Sequence, residues 1–210
     1  MTILGATGGI GRALVEGGLR RGHTVTAAVR DPARLPVSHE RLDVRVADVF
    51  DPDSLRPAVK GADAVLVALG PRSLRESRRS TVNSAGVRSA ITAMRATGVP
   101  RLVVVSAAPI AVDDPGDGLL AKLVFRPLLW TLMRTHYEDL TTMEREIRQS
   151  GLQWTIMRPP RLTDRPATGR YRTGYARNVG SMISRADVAD AMLNALTDDK
   201  AVNTPIGVGN

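Results

Sequence analysis

Residues 2–11 read Thr-Ile-Leu-Gly-Ala-Thr-Gly-Gly-Ile-Gly, a short apolar run that leads into glycines at positions 5, 8 and 11. An amphipathic segment over residues 12–22 follows, so the pattern predicts a strand, a glycine turn and a helix. In such a unit Gly5 allows a tight turn, Gly8 lets the backbone approach a pyrophosphate, and Gly11 lets the helix pack closely on the strand. Free N–H groups and the positive end of the helix dipole would face the phosphates. The candidate contacts are Gly5, Thr7, Gly8, Gly9, Ile10 and Gly11. The alternative is an ordinary glycine-rich turn.

Further apolar runs alternate with helical segments along the chain. Strands are predicted over residues 24–30, 42–47, 63–69, 101–107 and 153–158. One helix is predicted to follow Asp51, with proline at its first position, and a longer one to end near Thr97, before Gly98 and Pro100. Continuous Val, Ile and Leu runs are typical of a parallel sheet covered on both faces. We therefore predict a Rossmann-like, doubly wound parallel α/β sheet, in a single domain over residues 1–210 with a small C-terminal region covering the substrate.

The composition narrows the classes of protein. The chain has 210 residues, a net charge of +8 and no cysteine, so we expect one buried core, no disulfide framework and no metal site. No apolar run is long enough to cross a bilayer and the first strand begins at Thr2, which predicts a cytoplasmic protein without a signal peptide or membrane contact. The basic charge is compatible with nucleic acid, but no aromatic-basic platform or recognition helix is visible. We therefore expect no nucleic acid, since anionic cofactors fit the charge equally well.

The end of the second predicted strand bears on the choice of cofactor. NAD-preferring folds place a carboxylate there for the ribose hydroxyls of the adenosine, whereas a guanidinium binds the 2′-phosphate of NADPH. Here the strand ends in Arg30, Asp31 follows, and Arg34 lies one helical turn further on. The two arginines predict NADPH. Asp31 keeps NADH open as the less favoured cofactor, and both arginines also fit as surface residues that cap a helix.

Two other strand ends are candidates for the rest of a dinucleotide site. Asp48 and Val49 follow the third strand, where an adenine ring lies in this topology. Asp48 is a candidate acceptor for the adenine amino group, unless it only starts the loop, and Val49 would cover the ring face. Leu69 and Gly70 end the fourth strand beside the expected nicotinamide ribose, and a Gly-Pro break in a buried strand fits the wall of a crevice.

With these residues in view, the chain resembles the atypical short-chain dehydrogenase/reductase superfamily. The matching motifs are Gly5-x-x-Gly8-x-x-Gly11, Val29-Arg30-Asp31, Asp48-Val49, Ser106-Ala107 and Ser150-Gly151-Leu152. Within the superfamily the chain is similar to the NmrA-like NAD(P)H-binding group that contains biliverdin reductase B, also called flavin reductase. That similarity rests on Arg158-Pro159-Pro160-Arg161-Leu162, Asp164-x-Pro166-x-Thr168-Gly169-x-Tyr171 and Ile183-Ser184-Arg185-Ala186-Asp187-Val188-Ala189. The resemblance implies a Rossmann-like fold, NADPH as hydride donor and a shallow substrate site above the nicotinamide.

The resemblance also carries over candidate catalytic positions. Ser106 stands where the family's active-site serine lies, and would hydrogen-bond the substrate or the nicotinamide carboxamide; the alternative is a strand-end serine that binds backbone groups. Arg161 stands where biliverdin reductase B has a histidine, so a fixed cation replaces a titratable ring. Pro159 and Pro160 are expected beneath the nicotinamide, or serve as plain turn residues.

Typical short-chain dehydrogenases use Tyr-x-x-x-Lys, in which the lysine lowers the pKa of the tyrosine. Tyr137 is the candidate tyrosine, but position 141 is threonine. Aligned instead through Glu144, the two positions become His136 and Leu140. Neither alignment supplies the lysine, so we predict hydride transfer by positioning, with the proton taken from solvent or the acceptor. His136 or Tyr137 is the other candidate proton donor, unless both simply start a surface helix.

Two segments are expected to shape the substrate site. Residues 108–135 form an apolar insertion, interrupted by Pro127, that is expected to cover the pocket or contact a second subunit, with a membrane surface as a further alternative. Residues 161–180 combine several arginines with Tyr171 and Tyr175, and are interpreted either as a mobile cationic lid over an anionic acceptor or as a solvated loop. Ser184 and Asp187 are predicted to form a capping box that opens the last helix.

These observations predict an NADPH-dependent reductase that transfers a hydride to a conjugated acceptor, such as a flavin, quinone, tetrapyrrole or polycyclic metabolite. The acceptor is expected to be a small anionic or aromatic molecule, and the apolar insertion favours a homodimer. The missing tyrosine–lysine pair keeps two alternatives open. One is an NmrA-like redox sensor that binds NADP without turnover; the other is an enzyme of secondary metabolism that reduces, epimerises or dehydrates a polycyclic intermediate.

Overall fold

The computed structural model describes residues 1–71, 81–108 and 126–210, with side chains in the last range from Met133 onward. Most of the insertion expected over residues 108–135 lies outside these residues. In chain order the strands are β1 (Thr2–Leu4), β2 (Val25–Val29), β3 (Leu42–Val46), β4 (Ala64–Val67), β5 (Arg101–Val105), β6 (Gln153–Arg158), β7 (Arg161–Thr163), β8 (Arg172–Tyr175), β9 (Met182–Ser184) and β10 (Thr204–Gly209). The helices are α1 (Gly9–Arg20), α2 (Pro52–Val59), α3 (Val82–Thr97), α4 (Arg126–Arg148) and α5 (Arg185–Asn194).

Eight of these strands form one sheet in the order β3-β2-β1-β4-β5-β6-β10-β8. All neighbouring strands run parallel except β8, which pairs antiparallel with β10. β7 and β9 form a separate parallel pair. The strand order reverses beside β1, which has β2 on one side and β4 on the other. In an open parallel sheet the carboxyl ends of the strands at such a switch point border a crevice.

The helices cover both faces of the sheet, which confirms the doubly wound α/β prediction. One core cluster joins Leu14 of α1 to Met192 of α5 and includes Ile3 of β1. The other joins Leu55 of α2 to helices α3 and α4 and includes Leu4, the next residue of β1. Because successive side chains of a strand point to opposite faces, adjacent apolar residues of one strand supply both cores.

The local signals at helix ends are present in the structure. The Asp51 side chain accepts a hydrogen bond from the Asp53 N–H at 2.9 Å and caps α2. Gly98 ends α3 at φ +72°, a left-handed conformation that favours glycine. α1 begins at Gly9, earlier than the segment predicted from residue 12. α4 is kinked at Met133, where φ is −122°.

Strands β7 to β10 were not predicted from the sequence. β10 contains Pro205, Gly207 and Gly209, residue types that are depleted in strands. Gly207 is required for a steric reason, because a Cβ built on it would lie 2.3 Å from the Arg177 carbonyl oxygen. The strand therefore needs a residue without a side chain at this position, which hides it from a pattern of apolar residues.

Candidate nucleotide-binding site

The turn between β1 and α1 requires glycine at two positions. Gly5 has φ +81°, and a Cβ built on it would lie 2.4 Å from the Ala68 carbonyl oxygen. A Cβ built on Gly11 would lie 2.0 Å from the Gly5 carbonyl oxygen. The Gly8 N–H donates to that same oxygen at 3.0 Å. β1, the turn and the first turn of α1 are therefore packed backbone against backbone, as the sequence analysis expected for a phosphate-binding turn.

The N-terminus of α1 is open to an anion. Its N-cap is Gly8, which has no side chain to bind the free N–H groups, and the first turn contains no acidic residue. The Arg12 N–H makes the first helical bond, to the Gly8 carbonyl at 2.8 Å. The preceding N–H groups have no partner within the helix, and the helix dipole gives them a partial positive charge. The Ile10 side chain is only 8% exposed and packs in the core. Only the backbone of Ile10 can therefore make the predicted contact with a cofactor.

A groove of about 190 Å³ lies at the carboxyl ends of β1, β2 and β4 and beside the segment after β3. It is lined by Gly5, Ala6, Thr7, Gly8, Ala28, Val29, Arg30, Asp31, Arg34, Ala47, Val49, Phe50, Ala68, Leu69, Gly70 and Val82. Most of the predicted cofactor residues therefore meet in one cavity. The fit to a dinucleotide rests on two features, the uncapped N-terminus of α1 and the glycine turn before it. A side chain at Gly5 or Gly11 would clash with backbone atoms and disrupt that turn.

One end of the groove is cationic. Arg30 and Arg34 both line it and are exposed. Arg12, which the sequence analysis did not single out, reaches across from α1 and donates to the Arg34 carbonyl at 3.3 Å. The Asp31 carboxylate accepts from the Ala33 N–H at 3.1 Å and caps the short 3-10 helix Pro32–Arg34. Asp31 thus caps a short helix, while the guanidinium groups of Arg12, Arg30 and Arg34 belong to the elements around this end of the groove.

The segment after β3 supplies an aromatic face. Phe50 lines the groove together with Val49 and is 48% exposed, although the sequence analysis missed it. The Asp48 carboxylate accepts from the Phe50 N–H at 3.0 Å, and Ser54 binds both the N–H and the carbonyl of Asp48. These bonds support the alternative in which Asp48 shapes the loop. The signal in the sequence was an aromatic residue next to Asp48-Val49, in a chain with only two phenylalanines.

The ends of β5 and β6 form a second part of the same sheet edge. The Ser106 N–H donates to the Met157 carbonyl at 2.7 Å, and the Ala108 N–H donates to the Pro159 carbonyl at 2.9 Å. Ser106 is 6% exposed. Its hydroxyl is buried, and among the described residues it has no hydrogen-bond partner. The alternative of a serine that binds backbone groups therefore finds no support in the described part of the chain.

Ser106, Pro159, Pro160 and Arg161 are not among the residues that line the groove. Pro159 is buried, Pro160 is half-buried, and Arg161 is exposed at the start of β7. They follow the ends of β5 and β6. In the sheet, β5 is the neighbour of β4, and the residues after β4 border the groove. A dinucleotide whose adenosine lies at Arg30 and Phe50 would have to extend past Leu69 and Gly70 to reach them.

His136 and Tyr137 lie in α4, three and four residues after its kink at Met133. The surface position that the alternative assumed is wrong for Tyr137, which is buried, whereas His136 is half-buried. Tyr137 is 5% exposed and belongs to the apolar cluster that also contacts Leu69 and Ala107. Burial raises the pKa of its phenol. Burial also lowers the pKa of His136, against the opposing effect of the Asp139 carboxylate. Tyr137 therefore holds its proton and His136 is neutral at pH 7.

The segment over residues 161–180 is not one continuous loop, because it contains β7 and β8. Asp187 of α5 accepts from the backbone N–H groups of Thr168 and Gly169, both at 2.9 Å. The Tyr171 hydroxyl donates to Asp190 at 2.7 Å, and burial together with that carboxylate raises the pKa of Tyr171. These contacts hold residues 168–171 against α5, although residues 164–170 are all exposed to solvent. The solvated-loop alternative therefore stays open for that stretch. The cationic lid over an acceptor stays a prediction.

A larger cavity of about 710 Å³ lies at the opposite edge of the sheet, where the strands begin. Arg101 borders it, but its guanidinium donates to Gln153, Thr155 and Ala195 and is held by the fold. Ligands of parallel sheets bind at the carboxyl ends of the strands. The smaller groove at the glycine turn is therefore the candidate site, despite the difference in volume.

The described residues hold neither a metal-ion cluster nor a membrane-spanning helix. Residues 1–71, 81–108 and 126–210 contain no group of three His, Cys, Asp or Glu side chains placed to hold a metal ion. Within the same ranges, no helix has both the length and the apolar character that crossing a membrane requires.

The switch point of a parallel sheet, the glycine turn and the uncapped helix N-terminus define a dinucleotide-binding protein of the Rossmann-like class. The chain belongs to the NAD(P)H-binding family, whose model matches residues 5–199. This match confirms the predicted NAD(P)H-binding family, and the chain is an NAD(P)-binding oxidoreductase.

Three similar proteins illustrate the family. An uncharacterised chloroplastic protein of Arabidopsis thaliana is 31% identical over 95% of this chain and 72% of its own length. A 3-diazoavenalumate denitrifying reductase of a Streptomyces species is 30% identical over 82% of this chain and 59% of its own length. A wide-type short-chain dehydrogenase/reductase of Veillonella parvula, solved in complex with NADP, has a TM-score of 0.83 and 24% identity, covering 100% of this chain and 93% of that one.

Proposed function

We propose that this oxidoreductase uses NADPH in preference to NADH. The support is the cationic end of the groove, where Arg30 and Arg34 line the cavity and Arg12 is bonded to the Arg34 backbone. A 2′-phosphate carries a charge that guanidinium groups bind with charge-assisted hydrogen bonds. Asp31 would repel that phosphate, but its single charge is outnumbered by the three guanidinium groups around this end of the groove. The solved relative with NADP bound supports the same cofactor.

The residues that would hold the cofactor follow the groove. The open N-terminus of α1 and the Gly5–Gly8 turn fit the pyrophosphate, because both present backbone N–H groups without side chains. Val49 and Phe50 offer an apolar face for the adenine ring. Leu69 and Gly70 border the groove on the side of β5, and would direct the nicotinamide half toward Ser106.

The acceptor we propose is a conjugated molecule such as a flavin, quinone, linear tetrapyrrole or polycyclic metabolite. NADPH, when bound, supplies a hydride from its nicotinamide. The observation that carries the proposal is the burial of Tyr137, which raises the pKa of its phenol. A lysine partner would lower that pKa. The candidate lysine positions hold Leu140, which is 3% exposed, and Thr141, whose hydroxyl donates to the Tyr137 carbonyl at 2.8 Å.

An isolated ketone needs a strong acid at its oxygen as the hydride arrives, whereas a conjugated acceptor spreads the negative charge and can take its proton from solvent. α4 supplies no tyrosine–lysine acid, so the conjugated class fits this chain better. The buried Ser106 hydroxyl has no partner among the described residues and is free to hydrogen-bond the acceptor or the nicotinamide carboxamide. Arg161, exposed directly after the two prolines, would attract an anionic acceptor.

The test is oxidation of NADPH by the purified chain with FMN, a quinone, biliverdin and an isolated ketone. We expect saturable, enzyme-dependent oxidation with at least one conjugated acceptor and none with the ketone. Oxidation driven by the ketone alone would contradict the proposal. Stereospecific loss of deuterium from C4-labelled NADPH, read in the NADP product, distinguishes direct hydride transfer from adventitious electron transfer.

The leucine and threonine at the two candidate lysine positions, 140 and 141, also favour a second candidate, an NmrA-like sensor that binds NADP without turnover. It predicts tight binding of NADPH, no single-turnover hydride transfer to any acceptor in the panel, and a protein partner whose capture depends on NADP. Measurable single-turnover transfer would exclude it. A secondary-metabolism reductase or epimerase shares the first proposal's chemistry, and is distinguished by turnover of a polycyclic substrate only.

The setting and partners are part of the same proposal. We propose a cytoplasmic protein that acts on a small molecule, as a homodimer, without nucleic acid or membrane partners. The basis is the sequence, whose lack of cysteine is compatible with a reducing compartment.

A further inference from the structure

Helices α1 and α5 lie side by side and run in the same direction. A Cβ built on Gly9 would meet the Arg185 side chain, with its Cδ at 2.5 Å, and a Cβ built on Gly17 would meet Leu193 Cδ1 at 2.9 Å. Gly9 and Gly17 are eight residues apart in α1, and Arg185 and Leu193 are eight residues apart in α5. The two helices are therefore parallel and in step, and their N-termini are neighbours.

The two N-termini differ in how they are capped. That of α5 is closed by its own side chains, because the Asp187 N–H donates to Ser184 Oγ at 2.9 Å and the Ser184 hydroxyl donates to Asp187 Oδ2 at 2.9 Å. That of α1 has Gly8 as its N-cap, no side-chain cap and no acidic residue in its first turn. The positive end of α1 is thus left without an anion, although the neighbouring N-terminus of α5 has a side-chain cap and an acidic residue in its first turn.

Arg185 lies directly over this uncapped end. Its Cγ, Cδ and Nε all fall within 4 Å of the position that a Gly9 Cβ would occupy. Its guanidinium pairs with Asp164, Nη1 to Oδ1 at 2.6 Å, but the Asp164 side chain is 88% exposed and that of Arg185 is 35% exposed. A pair so open to water stabilises the fold little. A cation beside a positive helix end is unfavourable unless an anion lies between them.

We propose that Arg185 is a phosphate-binding residue of the cofactor site, and that its guanidinium binds the pyrophosphate of NADPH from the side of α5. This inference rests on the proposed function. A pyrophosphate at the α1 N-terminus supplies the anion that the helix end lacks, and gives Arg185 a less exposed partner than Asp164. Asp164 keeps the guanidinium over Gly9 when no phosphate is bound. A side chain at Gly9 would have to displace the Arg185 side chain from its present position.

The experiment measures dissociation constants of NADPH, NADH and adenosine 2′-monophosphate for the full chain and its variants. Arg185→Met is expected to weaken NADPH and NADH each by about tenfold, the loss of one partly exposed charge-assisted bond. Adenosine 2′-monophosphate has no pyrophosphate, so its binding is expected to stay within about twofold. Arg185→Lys keeps the cation and is expected to give intermediate losses. Arg20→Met removes an arginine at the far end of α1, 74% exposed, and is the control.

Asp164→Asn separates binding from a structural role. If Arg185 acts on the cofactor, removing its protein partner leaves NADPH binding intact or tighter. An Asp164→Asn loss equal to that of Arg185→Met would overturn the proposal, since Arg185 would then act only through the ion pair. So would wild-type NADPH affinity in Arg185→Met, or an equal loss of adenosine 2′-monophosphate. Failure of the wild-type chain to bind NADPH would instead sink the proposed function itself.

Discussion

Alanine at Gly8 and at Gly11 is expected to separate cofactor binding from folding, although both glycines belong to one turn. A Cβ at Gly11 would lie 2.0 Å from the Gly5 carbonyl oxygen and 2.6 Å from its carbonyl carbon. These are backbone atoms that cannot swing aside. At Gly8 the nearest atom would be 3.4 Å away, and the backbone angles of φ −81° and ψ 168° suit alanine.

The expected magnitudes follow from these distances. Gly11→Ala moves α1 away from β1 by roughly an ångström, an overpacking that costs about 1–3 kcal/mol and lowers the melting temperature by roughly 3–10 °C. Gly8→Ala restricts the unfolded chain without a clash, which adds about 0.4–1 kcal/mol to the unfolding free energy. Alanine is a poorer N-cap than glycine by a similar amount, so we expect little net change in stability. Its methyl group nevertheless occupies the space through which a pyrophosphate approaches the turn. We expect the NADPH dissociation constant to rise at least about tenfold, which is about 1.4 kcal/mol.

The assay pairs thermal unfolding of the ligand-free variants with NADPH fluorescence titration. The informative variant is Gly8→Ala, expected to be as stable as the wild type yet poor at binding NADPH. Wild-type affinity in Gly8→Ala would show that phosphates do not approach this turn. An unfolding free energy for Gly11→Ala equal to that of the wild type would refute the steric argument for close packing of α1 on β1.

Three further predictions concern the ends of the site. Arg30→Asp is expected to raise the dissociation constant of NADPH by about tenfold or more and that of NADH by less than about threefold. Arg20→Asp is the matched charge change and serves as the control. Equal losses of affinity for both cofactors would refute the 2′-phosphate role. Ser106→Ala is expected to lower turnover by roughly three- to tenfold at unchanged NADPH affinity, whereas unchanged turnover would leave it a structural serine. Because burial lowers the pKa of His136 from 6.5, the unfolded chain takes the proton first as the pH falls through that value, so the folded state loses stability in acid. His136→Leu should flatten the melting temperature between neutral and acid pH, and parallel profiles for the two proteins would contradict this.

The sequence by itself determined the elements whose signals are local. The spacing of Gly5, Gly8 and Gly11 after an apolar run predicted strand, turn and helix, because the steric need for glycine arises between residues a few positions apart. Asp51 and Gly98 marked helix ends for the same reason. The buried strands were visible because both faces of a parallel sheet are apolar.

Only the tertiary structure decided which side chains meet across the chain. Arg12 joins the Arg34 backbone, Phe50 lines the groove, Arg185 lies over Gly9, and Tyr137 is buried where a surface helix start was the alternative. Each of these depends on the order of the strands and on the pairing of α1 with α5. A one-dimensional pattern records residue types along one element, whereas a site at a sheet edge is assembled from elements distant in sequence, and packing alone sets their distances.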